Sequence, residues 1–190
     1  MPCTAAPYVI AMTQRLRRER NFREEPASIF QFPGDTLVGV KLSGADSFDL
    51  ERFVTAQVAV FPTVLAELKA GHKRTHWMWF VFPQLRGLGR SSTATFYGIS
   101  SLHEAGAYLA HALLGPRLKN CTRIVLDLEN DSLRQLFTSP DDKKFQSSMT
   151  LFALAAADPV SFFYKALDRW CGGALDAQTL KLLDAADRRS

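Results

Sequence analysis

Between Lys73 and Ser92 the chain reads KRTHWMWFVFPQLRGLGRSS, and its chemistry-bearing residues crowd there. These twenty residues hold two Trp, two Phe, two Gly and five cationic or titratable groups, namely Lys73, Arg74, His76, Arg86 and Arg90. The indoles of Trp77 and Trp79 offer flat π faces for a base or another ring. Arg86 and Arg90 flank Gly87-Leu88-Gly89, a turn whose backbone N–H groups can approach an anion closely. Planar arginine forks suit phosphate or carboxylate. Gln84 and Ser91 complete the candidate ligand-binding set on this segment. His76 is the leading general acid/base candidate, because imidazole titrates near neutral pH.

A second segment, Ser139 to Phe152 (SPDDKKFQSSMTLF), places Lys144, Ser147 and Ser148 on one helical face by i, i+3 and i+4 spacing. If that face abuts the Trp-rich segment, Asp141 or Lys144 completes a polar site, with Asp141 as the second proton-handling candidate. Several familiar chemistries are missing. R-G-L-G-R has neither P-loop nor dinucleotide-fingerprint spacing, and no G-x-S-x-G elbow occurs. His72 and His76 are four apart, but Gly71 interrupts a helix there and no third ligand follows, so neither a metal nor a cofactor is expected.

The same residues also support a plainer reading. Met78, Phe80 and Phe82 look like core, and Ser139, Pro140 and Asp141 are explained by starting a helix. Ser-Pro-Asp-Asp supplies a cap, a proline in the first turn and carboxylates at the positive dipole end.

The elements that must position these groups are mostly helical. From Phe48 to Ala70, the residues Leu50, Phe53, Val54, Val58 and Phe61 mark one apolar face, with Gln57 as its polar exception. Pro62 breaks or bends this stretch, and Gly71 stops it. His76 to Phe82 is too short for periodicity to decide between helix and strand. Gln84 to Ser92 reads as a loop or helix start. Ser101-Leu-His-Glu104 fits a capping box opening a helix to about His111, where His111 would favour the helix end. Gly115-Pro116 starts the next, with Leu114, Leu118, Cys121, Val125 and Leu128 on one stripe. A short helix follows Asp131, then one from Ser139 through Ala156, one opened by Asp158-Pro159 and stopped by Gly172-Gly173, and a last from about Asp176 to Asp187. The fold class is therefore all-α or nearly so: a compact multi-helix orthogonal bundle. Residues 46–187 read as a single helical domain. Residues 1–45, punctuated by Pro and Gly, read as a partly disordered extension with a short strand at Thr36–Leu42.

Composition narrows the partners. Of 190 residues, 47% are apolar and 22% charged, values typical of a globular chain. The net charge of +4 divides evenly, +2 on residues 1–45 and +2 on the rest, which gives little steering toward a polyanion, so nucleic acid is not an expected partner. Cys3, Cys121 and Cys171 form no C-x-x-C pair and read as thiols, with Cys121 and Cys171 buried, which suits a reducing compartment. No apolar run approaches the roughly 18 residues of a membrane span. The N-terminus lacks a secretory pattern, and Glu19, Glu24 and Glu25 interrupt its arginines. A cytoplasmic protein, monomeric or weakly dimeric, is expected.

FDLERFVTAQ, LAELKAGHKRTHWMWFVFPQLRGLGRS, YGISSLHEAGAYLAHALLGPRL and SPDDKKFQSSMTLFALAA closely resemble, in order, the motifs of the domain-of-unknown-function 1810 family. The matching positions include Lys73, His76, Trp77, Trp79, Gln84, Gly87, Gly89, Arg90 and Ser91, then Ser139, Pro140, Asp141, Asp142 and Lys144. Ala112 departs from it, where the family often has proline. The resemblance spans about Asp46 to Leu183 and implies a small intracellular all-α protein with no established activity. Some members are labelled calpastatin-like, but this composition is that of a compact chain, not a disordered inhibitor. The residues lead instead to a small phosphate-bearing or nucleotide-like ligand, bound or hydrolysed at Trp77–Ser92. The alternative is a non-catalytic protein–protein interaction module.

Overall fold

The computed structural model describes residues 48–188, and the proposed strand at Thr36–Leu42 and the rest of the extension lie outside them. Among the described residues there are ten helices: α1 (Glu51–Val58), α2 (Phe61–Lys69), α3 (Met78–Val81), α4 (Ser92–Phe96), α5 (Leu102–Ala110), α6 (Leu114–Asp127), α7 (Leu133–Phe137), α8 (Asp141–Ala156), α9 (Phe162–Cys171) and α10 (Ala177–Asp187). An isolated parallel bridge joins Leu85 to Ile99. The fold is all-α apart from that bridge.

The break between α1 and α2 falls just before Pro62, which occupies the first turn of α2, where a missing N–H costs nothing. The core face of α1 is Leu50, Phe53 and Gln57, whereas Val58, placed on that face by spacing, is exposed. Gln57 is tolerated in the core because its amide is used on both sides. Nε2 donates to the Phe80 carbonyl at 2.7 Å and to the Tyr108 hydroxyl, and Oε1 accepts from Arg117. At the end of α2, Gly71 has φ +65°, a conformation that favours glycine, and a Cβ there would displace the Asn130 side chain.

Helix α8 is the centre of the molecule. It packs on α5, α7, α9 and α10. Ser147 to Leu154 is buried without interruption, as expected of a helix surrounded on all sides. Phe145 meets Phe82 at 5.0 Å and Phe137 at 5.1 Å between ring centroids, and Trp77 closes on Phe82 and Phe137. This cluster decides the ambiguous HWMWFVF segment: it forms a loop and the single turn α3, with Trp77, Met78 and Phe82 inside.

Several caps differ from the sequence reading. Ser101 accepts from the Glu104 N–H as expected, but Glu104 turns to the Ser100 N–H and hydroxyl and to Arg52. Ser139 does not cap α8; Pro140 holds that position without a side-chain bond. Ser161, not Asp158, caps α9. His111 Nδ1 accepts from the N–H groups of Leu113 and Leu114, so it serves the start of α6 instead of the end of α5. Gly172 ends α9 with φ +59°, and Asp176 caps α10 through the Thr179 N–H. Cys121 is fully buried and its thiol is pushed up to about 12, while Cys171 is only half-buried.

Candidate functional site

The site is organised by a carboxylate that sequence reasoning passed over. Glu67 sits on the inner face of α2, one turn after Val64, and is 8% exposed. Its Oε2 accepts from the Arg74 N–H at 2.9 Å and from the Trp77 indole N–H at 2.8 Å. Its Oε1 accepts from the Thr75 hydroxyl at 2.8 Å, and the Thr75 N–H reaches both oxygens at 3.2 Å. Burial pushes its pKa up, but these donors outweigh burial and hold the group below the usual glutamate value. The loop from Gly71 to Trp77 is wrapped on this anion and pinned outside by Asn130 to the Gly71 carbonyl and by the Lys73 N–H to the Leu136 carbonyl at 2.7 Å.

The loop delivers Lys73 to the first turn of α8. Lys73 Nζ meets Asp141 Oδ2 at 2.7 Å, and Lys144 Nζ meets Asp141 Oδ1, also at 2.7 Å. Each ammonium also lies over an indole: Lys73 is 5.2 Å from the Trp77 ring and Lys144 is 4.6 Å from the Trp79 ring. His76 lies 6.4 Å from Trp79, and its imidazole is exposed. Lys73 and Lys144 share the Asp141 carboxylate at the positive end of a 16-residue helix, and the Glu67 carboxylate lies at the N–H edge of the Trp77 indole, against this trio's one excess positive charge. Burial raises the pKa of Asp141, but the hydrogen bonds and charges of Lys144 and Lys73 overcome it and hold the carboxyl below the usual aspartate range.

The contact conditionally expected between α8 and the Trp-rich segment is thus present through Lys144, Trp79, Lys73 and Asp141. Some assignments change. Trp77 is 1% exposed with its N–H committed to Glu67, so it has no free face for a ligand. Asp141 stays ionised, so it is a counter-ion and has no proton to donate near neutral pH. Gln84 takes part through its backbone carbonyl, which accepts from Ile99. Ser91 caps α4 by accepting from the Ala94 N–H. Gly87, at φ +101°, and Gly89, where a Cβ would strike Ala94, shape the loop. Arg86 and Arg90 are exposed, and among the described residues their side chains have no ion pair. No contact joins them to the lysine cluster. Ser147 donates to the Lys143 carbonyl, and Ser148 is buried with its hydroxyl unpartnered.

Glu67 was missed, and Lys73 was named in the segment without being assigned to the site. The available signal for Glu67 was an acid three residues from Val64 and next to Leu68, on a stripe otherwise apolar. Lys73 stood out only as one cation of its segment, because its partner lies 68 residues away.

The described fold is thus all-helical, with Asp141 bridging two lysines at the head of its central helix. Residues 47–183 match the family described as "Protein of unknown function (DUF1810)", and the chain belongs to that family. The crystal structure of the conserved hypothetical protein Rv1873 from Mycobacterium tuberculosis is similar, with 54% identity and a TM-score of 0.70 over 73% of this chain and 99% of that one. No curated protein matches the chain. Among the described residues, no helix is long and apolar enough to cross a membrane.

Proposed function

We propose that this protein binds a small phosphate-bearing, nucleotide-like ligand at the head of α8. The carrying observation is the pairing of Lys73 and Lys144 on the single carboxylate of Asp141, with Lys144 seated on Trp79. An ammonium has three donors. Asp141 takes one from each lysine, and the indole faces attract the cations without accepting a conventional hydrogen bond. Lys144, the more exposed of the two, therefore keeps donors for a second anion, while the nearly buried Lys73 holds Asp141 in place. Trp79, half-buried beside exposed His76, supplies apolar surface for a ring attached to that anion. If the ligand is hydrolysed, His76 is the group placed to move a proton, and Asp141 fixes the cations. Arg86 and Arg90 are unpaired cations on a neighbouring loop and enter this reading only as a reserve of positive charge.

The test is a thermal-shift panel of nucleotides, NAD, ADP-ribose, sugar phosphates and short RNA. A ligand at about 100 times its Kd adds roughly 2.7 kcal/mol. In a domain of this size that raises Tm by about 5–10 °C. The shift should vanish in Lys144→Ala and persist in Lys119→Ala, whose side chain is exposed on α6. Unchanged melting across the panel sinks the ligand reading. It would favour the non-catalytic interaction module, for which Val160 (70% exposed), just before α9, and Phe162 (39% exposed), its first residue, are the observation.

A further inference from the structure

We propose that Glu67 is the positioning residue of the lysine site: its buried carboxylate sets both the root of Lys73 and the ring on which Lys73 lies. Glu67 itself touches neither Asp141 nor Lys144. The loop from Gly71 to Trp77 lacks helical hydrogen bonding of its own, so something else must fix its path. The fixed points are close around Lys73. Its own N–H bonds the Leu136 carbonyl, and the next N–H, that of Arg74, bonds Glu67. The backbone of Lys73 is therefore held on both sides.

The side chain is then guided. Trp77 is anchored by its indole N–H on the same Glu67 oxygen that holds Arg74. Lys73 runs over that indole, and its side chain is only 7% exposed where Nζ reaches Asp141. One carboxylate thus orients the start of the lysine and the surface it crosses.

The chemistry of Glu67 is specific. Every group aimed at it is a donor: two backbone N–H groups, one hydroxyl and one indole N–H. Among the described residues no cation pairs with it; its charge is met by those donors alone. An amide cannot replace it, because its NH2 would face other donors. Aspartate is one methylene too short to span from α2 to the loop.

The ligand half of the inference rests on the reading above; the positioning half does not. The experiment follows the Asp141 carboxyl by NMR titration in the full chain, in wild type, Glu67→Gln and Lys73→Met, and measures inorganic phosphate binding in each. Lys73→Met defines the Asp141 midpoint when Lys144 alone remains. In Glu67→Gln that midpoint should move up most of the way to the Lys73→Met value, although Glu67 has no contact with Asp141. Phosphate binding should weaken roughly tenfold, the scale of one charge-assisted contact. An Asp141 midpoint at its wild-type value in folded Glu67→Gln overturns the proposal, whatever phosphate does. A moved midpoint in a protein whose wild type ignores phosphate upholds positioning and sinks only the ligand reading. If Glu67→Gln does not fold, Trp77→Phe removes one donor and keeps the carboxylate. A smaller rise is expected there, and an unmoved midpoint again overturns the proposal.

Discussion

Ala157 ends α8 with φ 51° and ψ 33°, in the left-handed region that its Cβ disfavours. Gly172 ends α9 in almost the same conformation, at φ 59° and ψ 31°, without that cost. The two stops use the same backbone solution, and only one has the residue that suits it. Replacing Ala157 with glycine relieves about 1–2 kcal/mol of conformational strain. It removes a methyl that is mostly buried, which costs about 0.8 kcal/mol by transfer. The balance is small and favourable, so Ala157→Gly should raise stability by roughly 0.2–1.2 kcal/mol. Urea denaturation reads this as a higher midpoint at unchanged slope; a lower midpoint would mean that the methyl's packing outweighs the strain.

At the scale of elements, the aromatic junction of α3, α7 and α8 both stabilises the core and backs the candidate site. Phe145 is fully buried between Phe82 and Phe137, one residue after Lys144. Phe145→Ala should cost about 3–5 kcal/mol in urea denaturation. A loss under 1 kcal/mol would show that the neighbouring rings collapse into the space. This junction also explains what was legible in the sequence. The run to Ala156, the stop at Gly172 and the start at Asp176 were readable because caps, periodicity and glycine act within a few residues. HWMWFVF was not, because Phe82 is fixed by Phe137 and Phe145, more than fifty residues on. Val58 went wrong because it ends α1, where spacing no longer guarantees a neighbour. Ser139 went wrong because a residue type suited to capping still needs its hydroxyl aimed at the first turn. For the site, Lys144, Asp141, His76 and Trp79 were legible as residue types, and their meeting was only a condition. Trp77 was misassigned because an indole reads alike whether its N–H seeks a ligand or a buried carboxylate.

At the scale of the whole molecule, the described residues build a core among themselves. Among the described residues, every buried member of the hydrophobic cluster lies between Leu50 and Leu183. The first described turn is secured from within the same region: Arg52 donates to the carbonyls of Phe48, Asp49 and Phe96 and pairs with Glu104, tying α1 to α4 and α5. Breaking that buried pair would be costly, because Glu104 would keep a charge out of water. A boundary near Asp46 would fall just ahead of this guanidinium lock. A chain lacking residues 1–45 should unfold in one transition, with tryptophan fluorescence and far-UV circular dichroism coincident. Its Tm should stay within about 4 °C of the full chain's, equivalent to roughly 1 kcal/mol at this size. Non-coincident probes, or a fall several times larger, would mean that the N-terminal residues complete the fold and that the domain begins well before Asp46.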